Sequence, residues 1–326
     1  MDAASPLPTL QAALSREGLG LARRQLRVDP ARAARLAFVS SPRYPRRLLG
    51  LHERAVGTPE TFAALGAEGP GLLPVAPGRS FELNGLTFQL FPSGHLPGAA
   101  QLWIGAPDGD TLCFVGPWRA APSERAPAGA QVEADTLVFD ARWAAPETPA
   151  PSRAAALEEA LALALEALGR DQALLVVADP LGAGYELIEA LLEGGAAVSP
   201  HRSQRRRLGK TARGELLPYE GALRPGVATL FPPGLALPPR GPGACAIYLG
   251  PEVLTGEAPE GFDHQVAWSD WGDAAELLAY ADEVGPERVQ VTGRFAAPLV
   301  EALRRAGHDA TPLSPGDQLG LFPPGA

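Results

Sequence analysis

The chain has 326 residues, 46% of them apolar, and a formal net charge of −9, which is enough to fill two packed cores and too acidic for global attraction to nucleic acid or anionic membrane. Cys113 and Cys245 lack metal-type spacing, and the first residues, MDAASPLPTLQ, have neither the basic start nor the apolar centre of a secretory signal. No apolar run approaches the roughly 20 residues that span a bilayer, so the expectation is a soluble, cytoplasmic protein with reduced thiols and no membrane partner.

In chain order, ARLAFVS (34–40) and FELNGLTFQLF (81–91) read as strands, the second alternating as on a half-buried sheet. Between them TPETFAALG predicts a short helix with Thr58 as cap and Pro59 at its first position. QLWIGAPDGDTLCFVG predicts a hairpin turning at Pro107-Asp108-Gly109-Asp110, and DTLVFDAR (135–142) a buried strand ending on an acid. A proline-rich joint at 146–153 leads to AAALEEALALALEALGR, an amphipathic helix that Gly169 can end. ALLVVADPLGAGYELIEALLEGG follows as strand, turn and helix, the alternation of a parallel α/β sheet. Its glycine spacing is not that of a dinucleotide-binding turn.

The stretch 224–243, with TLFPPGLALPPRGPG, is expected to lack regular structure and to close this second part. ACAIYLG and FDHQVAWSDWGD are expected to resume the first style. AELLAYADEVG then predicts a helix, RVQVTG a strand, APLVEALRRAG a helix ended by Gly307, and HDATPL a last strand. The reading is α/β, with an α/β insertion near 150–255.

The order of segments resembles the metallo-β-lactamase superfamily, and within it the β-CASP nucleases such as ligase-associated DNA exonucleases and mRNA 3'-end processing exonucleases. RVDP (27–30), AFVS (37–40), TPET (58–61), SGHLPGAAQ (93–101), FVG (114–116), LVFDARW (137–143), DPLGAGYELIEALL (179–192), SDWGD (269–273) and VTG (291–293) carry the resemblance, which spans about 18–315. It implies a four-layer αβ/βα sandwich in 1–148 and 256–326, with a β-CASP-like α/β cap in 149–255 and the site in the cleft between them. Nucleases of this family use two metal ions, usually zinc, to activate water against a phosphodiester.

The family's metal ligands are mostly missing. The four positions of its His-x-His-x-Asp-His motif hold Ser41, Arg43, Pro45 and Arg46, and proline and arginine cannot bind zinc. The bridging aspartate falls on Pro117, the C-terminal histidine on Gly293, and the histidine of the Ser-Asp-His-Ala-Asp motif on Trp271. Family positions survive at Asp29, His95, Asp140, His201 and Asp270, with Asp273, and of these only His95 matches a direct metal ligand. A catalytic zinc needs about three protein ligands, so no metal or other cofactor is expected.

His95 reads either as a surviving ligand or as a histidine hydrogen-bonded in a glycine turn. Arg43, Arg46 and Arg47 occupy the loop that should surround two cations; they either replace part of that charge and hold a phosphate, or are drifted loop residues. Lys210 is the only lysine, so arginine carries the basic chemistry. HRSQRRRLGKTAR (201–213), with Arg202, Arg205, Arg206, Arg207, Lys210 and Arg213 and no acid, reads as a phosphate-tracking surface or a solvated loop. Trp118 and Trp271 lie beside lost catalytic positions and are candidates to plug a vacated cavity.

The expected function is a non-catalytic relative of a DNA or RNA exonuclease, a pseudoenzyme in DNA repair or RNA processing that retains nucleic-acid or protein binding. The competing reading is an active metal-dependent phosphodiesterase, a hydrolase whose metal is held by Asp29, Asp140 and Asp270 with His95. Implied partners are DNA or RNA, an active nuclease paralogue, or a ligase.

Overall fold

A computed structural model describes residues 10–15, 18–21, 25–123, 125–145, 147–208 (main chain alone for 206–208) and 214–313. The chain divides into two compact units, one of Met1–Pro146 with Trp271–Ala326 and one of Glu147–Asp270. It is a mixed α/β protein.

The first unit begins with β1 (Ala12–Ser15), β2 (Gly18–Leu21), β3 (Leu26–Val28), β4 (Leu36–Phe38), α1 (Arg46–Leu49), β5 (Arg54–Gly57), α2 (Pro59–Leu65) and β6 (Leu72–Pro74). It continues through β7 (Ser80–Leu83), β8 (Leu86–Pro92), β9 (Ala100–Gly105), β10 (Thr111–Gly116) and β11 (Thr136–Asp140). The second unit contributes α3 (Arg153–Gly169), β12 (Leu174–Ala178), α4 (Ala183–Glu193), β13 (Ala197–Pro200), α5 (Arg202–Leu208), β14 (Val227–Phe231), β15 (Cys245–Gly250) and β16 (His264–Ala267). The chain then re-enters the first unit as α6 (Ala274–Val284), β17 (Arg288–Thr292), α7 (Ala296–Arg305) and β18 (Ala310–Pro312).

In the first unit, β1 to β6 form one sheet in sequence order, and a second runs β18-β17-β11-β10-β9-β8-β7. Alternate residues of their strands are apolar on both faces, which fixes a layered packing. Phe38 and Val56 of the first sheet meet Phe114, Val138, Leu90 and Leu102 of the second in one fully buried core. The opposite register of β4 and β5, Ala37 and Ala55, packs on Leu49 of α1 and on Phe62 and Leu65 of α2. The opposite register of β10 and β11, Cys113, Val115, Leu137 and Phe139, packs on α6 and α7 through Leu277, Tyr280, Leu299 and Leu303. The order of layers is therefore helices, sheet, sheet, helices.

The second unit is one parallel sheet in the order β13-β14-β12-β15-β16. Leu174, Val176 and Ala178 of β12 face α3 and α4, whereas Leu175 and Val177 face Phe231, Ala246 and Tyr248 with the partly buried Tyr219 and Phe262. The buried stripe of α3 is Ala156, Ala160, Ala164 and Ala167, small side chains at near one-turn spacing that let its backbone approach closely.

Local chemistry placed several elements where the sequence predicts them. Thr58 caps α2 by accepting from the Thr61 amide at 3.0 Å, with Pro59 as its first residue, and β9 pairs with β10 across the expected turn. Three expectations need correction. The run 81–91 is two strands, because Asn84 and Gly85 both take positive φ (54° and 74°) and turn β7 back on β8 with Leu83 paired to Leu86, the two-residue Asn-Gly turn. The helix α3 does end at Gly169, as expected, with Asp171, two residues beyond it, in the left-handed conformation (φ 54°). Within 224–243, Val227–Phe231 forms β14 between β13 and β12; the β-branched run ends before Pro232, so the prolines fall outside the ladder. Residues 245–267 do not resume the first unit: β15 pairs parallel with β12, and β16 with β15.

A buried polar contact ties β9 to α6. Tyr280 donates to Gln101 Oε1 at 2.8 Å and accepts from the Val132 amide at 2.9 Å, while Gln101 Nε2 donates to the carbonyls of Pro92 and Ala130. Tyr280→Phe strands a buried N–H and an amide oxygen, and is expected to lower the unfolding free energy by about 1–3 kcal/mol in denaturant titration with no change in secondary-structure content.

Candidate functional site

Asp29 lies between β3 and β4 with φ 44°, a left-handed conformation that aspartate tolerates better than most residues. Its amide donates to the Phe38 carbonyl (2.8 Å), and its carboxylate receives the amide (2.9 Å) and the hydroxyl of Ser40. Burial pushes its pKa up to about 6 against these hydrogen bonds; the nearby Asp140 charge adds to the rise and Arg142 opposes it. Asp140 ends β11. Its Oδ1 accepts from the Arg142 amide at 3.1 Å, and its Oδ2 lies 3.7 Å from Arg142 Nη2; burial raises its pKa and Arg142 again opposes. The ends of β3, β4 and β11 thus place two acids and one arginine together.

The loop after β4 is fixed by its own residues. Ser41 is buried, its hydroxyl accepts from the Arg43 amide (3.3 Å), and its carbonyl accepts from Tyr44 (3.0 Å). The Tyr44 hydroxyl donates to the Pro30 carbonyl at 2.6 Å and meets His52 Nε2 at 2.6 Å. Arg43 is half-buried with its guanidinium carbon 4.6 Å from the centre of the Trp271 ring, whereas Arg46 and Arg47 are exposed residues of α1. Of the three arginines, Arg43 alone is brought to the indole.

His95 is 1% exposed, and its ring centre lies 4.7 Å from that of Trp271, tilted by 54°. Trp271 is itself 7% exposed. Beside Arg43 and His95, Arg142 lies 5.8 Å from the same ring, and the Trp271 carbonyl is 3.5 Å from Nη1 of the buried Arg119. Arg119 is held in turn 3.4 Å from Glu276, part of the capping box that starts α6 with Asp273. Trp118 is buried against Tyr280 and donates to the Ala130 carbonyl at 3.0 Å, as a core residue. Gly293 follows β17 with φ 102°, and a Cβ there would lie 2.9 Å from both Asp140 Oδ1 and the Arg142 amide. A histidine at this position would collide with the acid and strain the backbone.

These observations test whether a metal pair of the kind the resemblance implies fits these residues. They do not fit: an indole fills the space against His95, two guanidinium groups stack on it, and Gly293 leaves no room for a ligand. Among the described residues, no three His, Cys, Asp or Glu side chains gather as a cation site would require.

The remaining sequence-predicted residues lie in the second unit. Asp270 is buried beside Arg153 (3.6 Å) and accepts from the Trp268 indole at 3.1 Å. A Cβ on Gly182, the cap of α4, would lie 2.0 Å from Asp270 Oδ2, so the glycine of the 179–192 turn serves packing of this acid. His201 caps α5, its carbonyl accepting from Gln204 and Arg205; its ring packs on Phe231 at 4.8 Å, and burial, with the Arg202 charge, lowers its pKa. Arg202 and Arg205 are exposed, and Arg205 donates to the Leu216 carbonyl at 3.1 Å. Arg206 and Arg207 continue α5, and Lys210 and Arg213 lie outside the described residues.

Sequence reasoning missed Arg119 and Arg142. For Arg142 a signal existed, an arginine two residues beyond the strand-ending acid in LVFDAR.

Comparison with known proteins adds weak links. No family model matches the chain. It is 31% identical over 107 residues to the DNA cross-link repair 1A protein of Gallus gallus, and 23% identical over 243 residues to a probable DNA ligase of Opitutus terrae. These alignments cover 32% and 71% of this chain but 11% and 24% of the relatives, so the chain spans about a tenth and a quarter of the curated proteins it matches. The crystal structure of a protein of unknown function from Enterococcus faecalis V583 superimposes with a TM-score of 0.58 at 11% identity, over 86% of this chain and 79% of that one. At that identity the likeness is one of fold. No helix among the described residues is long and apolar enough to cross a membrane.

The raised pKa of Asp29 predicts a pH effect. The folded state holds this proton up to about pH 6 and the unfolded state releases it near 3.8, so stability falls as pH rises through that window. Asp29→Asn is expected to remove this fall, read as a flatter dependence of urea midpoint on pH.

Proposed function

We propose that the chain is a metallo-β-lactamase-type sandwich with a β-CASP-like second unit, and that it is a non-cleaving relative of DNA or RNA exonucleases that binds nucleic acid. The observation that carries this reading is the packing of Trp271 against His95 and Arg43. It fills with an indole and a guanidinium the position where a cleaving relative would present water-activating cations. Without such cations nothing lowers the pKa of water toward neutrality, and the phosphodiester meets no nucleophile. Support for the fold comes from the helices-sheet-sheet-helices order of the first unit and the parallel sheet of the second. Support for a nucleic-acid partner comes from the similarity to proteins named for DNA cross-link repair and DNA ligation, and from the exposed Arg202 and Arg205 on α5, within the basic run 201–213.

The competing reading, a metal-dependent phosphodiesterase, draws on the nearness of Asp29 and Asp140. The similarity to a ligase-named protein also favours a complex with a ligase, or with an active nuclease, as the setting in which binding is used.

Labelled single- and double-stranded DNA and RNA, incubated with the purified chain and Mg²⁺, Mn²⁺ or Zn²⁺ in turn, separate these readings. The expected outcome is binding that weakens with salt, at a logarithmic slope of about 0.9 per phosphate contacted on duplex DNA, with no shortening of any strand. Metal-dependent shortening would establish the phosphodiesterase instead. Replacing Arg202 by Gln is expected to reduce that slope by roughly 1 while leaving the melting temperature unchanged.

A further inference from the structure

The basic run 201–213 contains no Phe, Tyr or Trp, yet the fold brings two such residues to its first member. His201 follows β13, its amide donating to the Leu230 carbonyl at 2.8 Å, and Phe231 ends β14, so both stand at the carboxyl ends of adjacent parallel strands. The His201 ring lies 4.8 Å from that of Phe231 and 5.8 Å from that of Tyr219, and Tyr219 meets Phe231 edge-on at 5.2 Å. Phe231 is buried, whereas His201 and Tyr219 are half-buried and keep ring surface open to solvent. Contacts of the main chain fix Tyr219 in place. The Leu217 amide donates to the Val198 carbonyl at 2.8 Å, and Arg205 and Arg224 donate to the carbonyls of Leu216 and Pro218 at 3.1 and 3.3 Å. The Ser203 amide donates to His201 Nδ1 at 3.3 Å, which puts the proton of the neutral imidazole on Nε2. Arg202, the next residue, is exposed, and among the described residues its guanidinium has no carboxylate partner.

We propose that His201 and Tyr219, seated on Phe231, form a stacking platform for an unpaired base, with Arg202 beside it for the adjoining phosphate, so that the second unit takes single-stranded nucleic acid in preference to duplex. Arginines alone follow phosphates and do not tell a single strand from a duplex. An open aromatic face does, because the bases of a duplex are already stacked on one another and an unpaired base is free to lie on a ring. Rings set in place before the ligand arrives also cost little ordering on binding. Burial and the Arg202 charge lower the pKa of His201, so its ring is uncharged at neutral pH and stacks without an ionic charge to desolvate. The inference rests on the reading that this chain binds nucleic acid and adds to it the class of strand and the rings that receive it.

The test is fluorescence anisotropy of the full chain with four labelled probes of about 12 nucleotides: oligo(dT), oligo(rU), an abasic deoxyribose-phosphate strand of equal length, and a DNA duplex. The expected result is that oligo(dT) or oligo(rU) binds more tightly than the duplex, and roughly fivefold or more tightly than the abasic strand, which keeps the phosphates and lacks the bases. Whichever of oligo(dT) and oligo(rU) binds better names the sugar. Tyr219→Leu is expected to lose roughly fivefold or more in affinity for that strand with an unchanged salt dependence, Tyr219→Phe to stay within about twofold of wild type, and Arg202→Gln to lower the salt slope by roughly 0.7. The comparison with the abasic strand uses the wild-type chain, so it decides the matter even where Tyr219→Leu fails to fold. Equal affinity for the abasic strand and the base-carrying strands, a duplex bound as tightly as either single strand, or full affinity in a folded Tyr219→Leu would each sink the platform while leaving nucleic-acid binding in place. A wild-type chain that binds none of the four probes overturns the nucleic-acid reading and the platform with it.

Discussion

Trp271 is the contact on which the candidate site depends. Its indole is nearly buried, lies against His95, carries Arg43 and Arg142 on its ring, and is held at its carbonyl by the buried Arg119. An indole brings bulk, a negative ring face and a single N–H donor, so what gathers round it is cationic or aromatic and not a set of metal-binding lone pairs. The neighbouring acids then have to be satisfied by the chain itself. Ser40 hydrogen-bonds Asp29, and Arg142 attends Asp140. The indole thus goes together with the charges, the hydrogen bonds and the glycine geometry of the strand ends around it.

The second unit answers a different constraint, burial of a charge pair inside a parallel sheet domain. Arg153 at the start of α3 and Asp270 after β16 are both almost fully buried and 3.6 Å apart, with Trp268 donating to the acid. Pairs of this kind add little net stability, but removing one partner leaves a buried charge, so the arrangement favours a single geometry. That geometry dictates Gly182, because the carboxylate occupies the space a side chain would need. The glycine-containing turn before α4 thus serves the packing of an acid. On the same sheet the alanine stripe of α3 admits the close helix approach that seals the other core face.

What a chain of this fold does is governed by charge placement more than by fold. A sandwich of this layering can carry many chemistries, and function is argued from the site. The site has three arginines, Arg43, Arg119 and Arg142, against Asp29, Asp140 and Glu276, an internally balanced set.

Short-range chemistry was legible in the sequence. Thr58 and Pro59 start α2, Pro107-Asp108-Gly109-Asp110 turns β9 into β10, and alternation marks the strands buried on two faces, because each depends on residues a few positions apart. The Asn84-Gly85 turn was equally local and was passed over inside an apolar run, and β14 was hidden by the prolines that follow it. The sequence by itself also put Arg43, Pro45, Gly293 and Trp271 at the positions where the resemblance implies ligands. What only the tertiary structure decided is where those substitutes point. The membership of β15 and β16 in the second sheet, the nearness of Asp29 to Asp140, and the convergence of Arg43, Arg142 and His95 on Trp271 join segments up to some 230 residues apart, as the numbering of Arg43 and Trp271 shows. Packing, not local preference, selects among the many surfaces on which an arginine or an indole could come to rest.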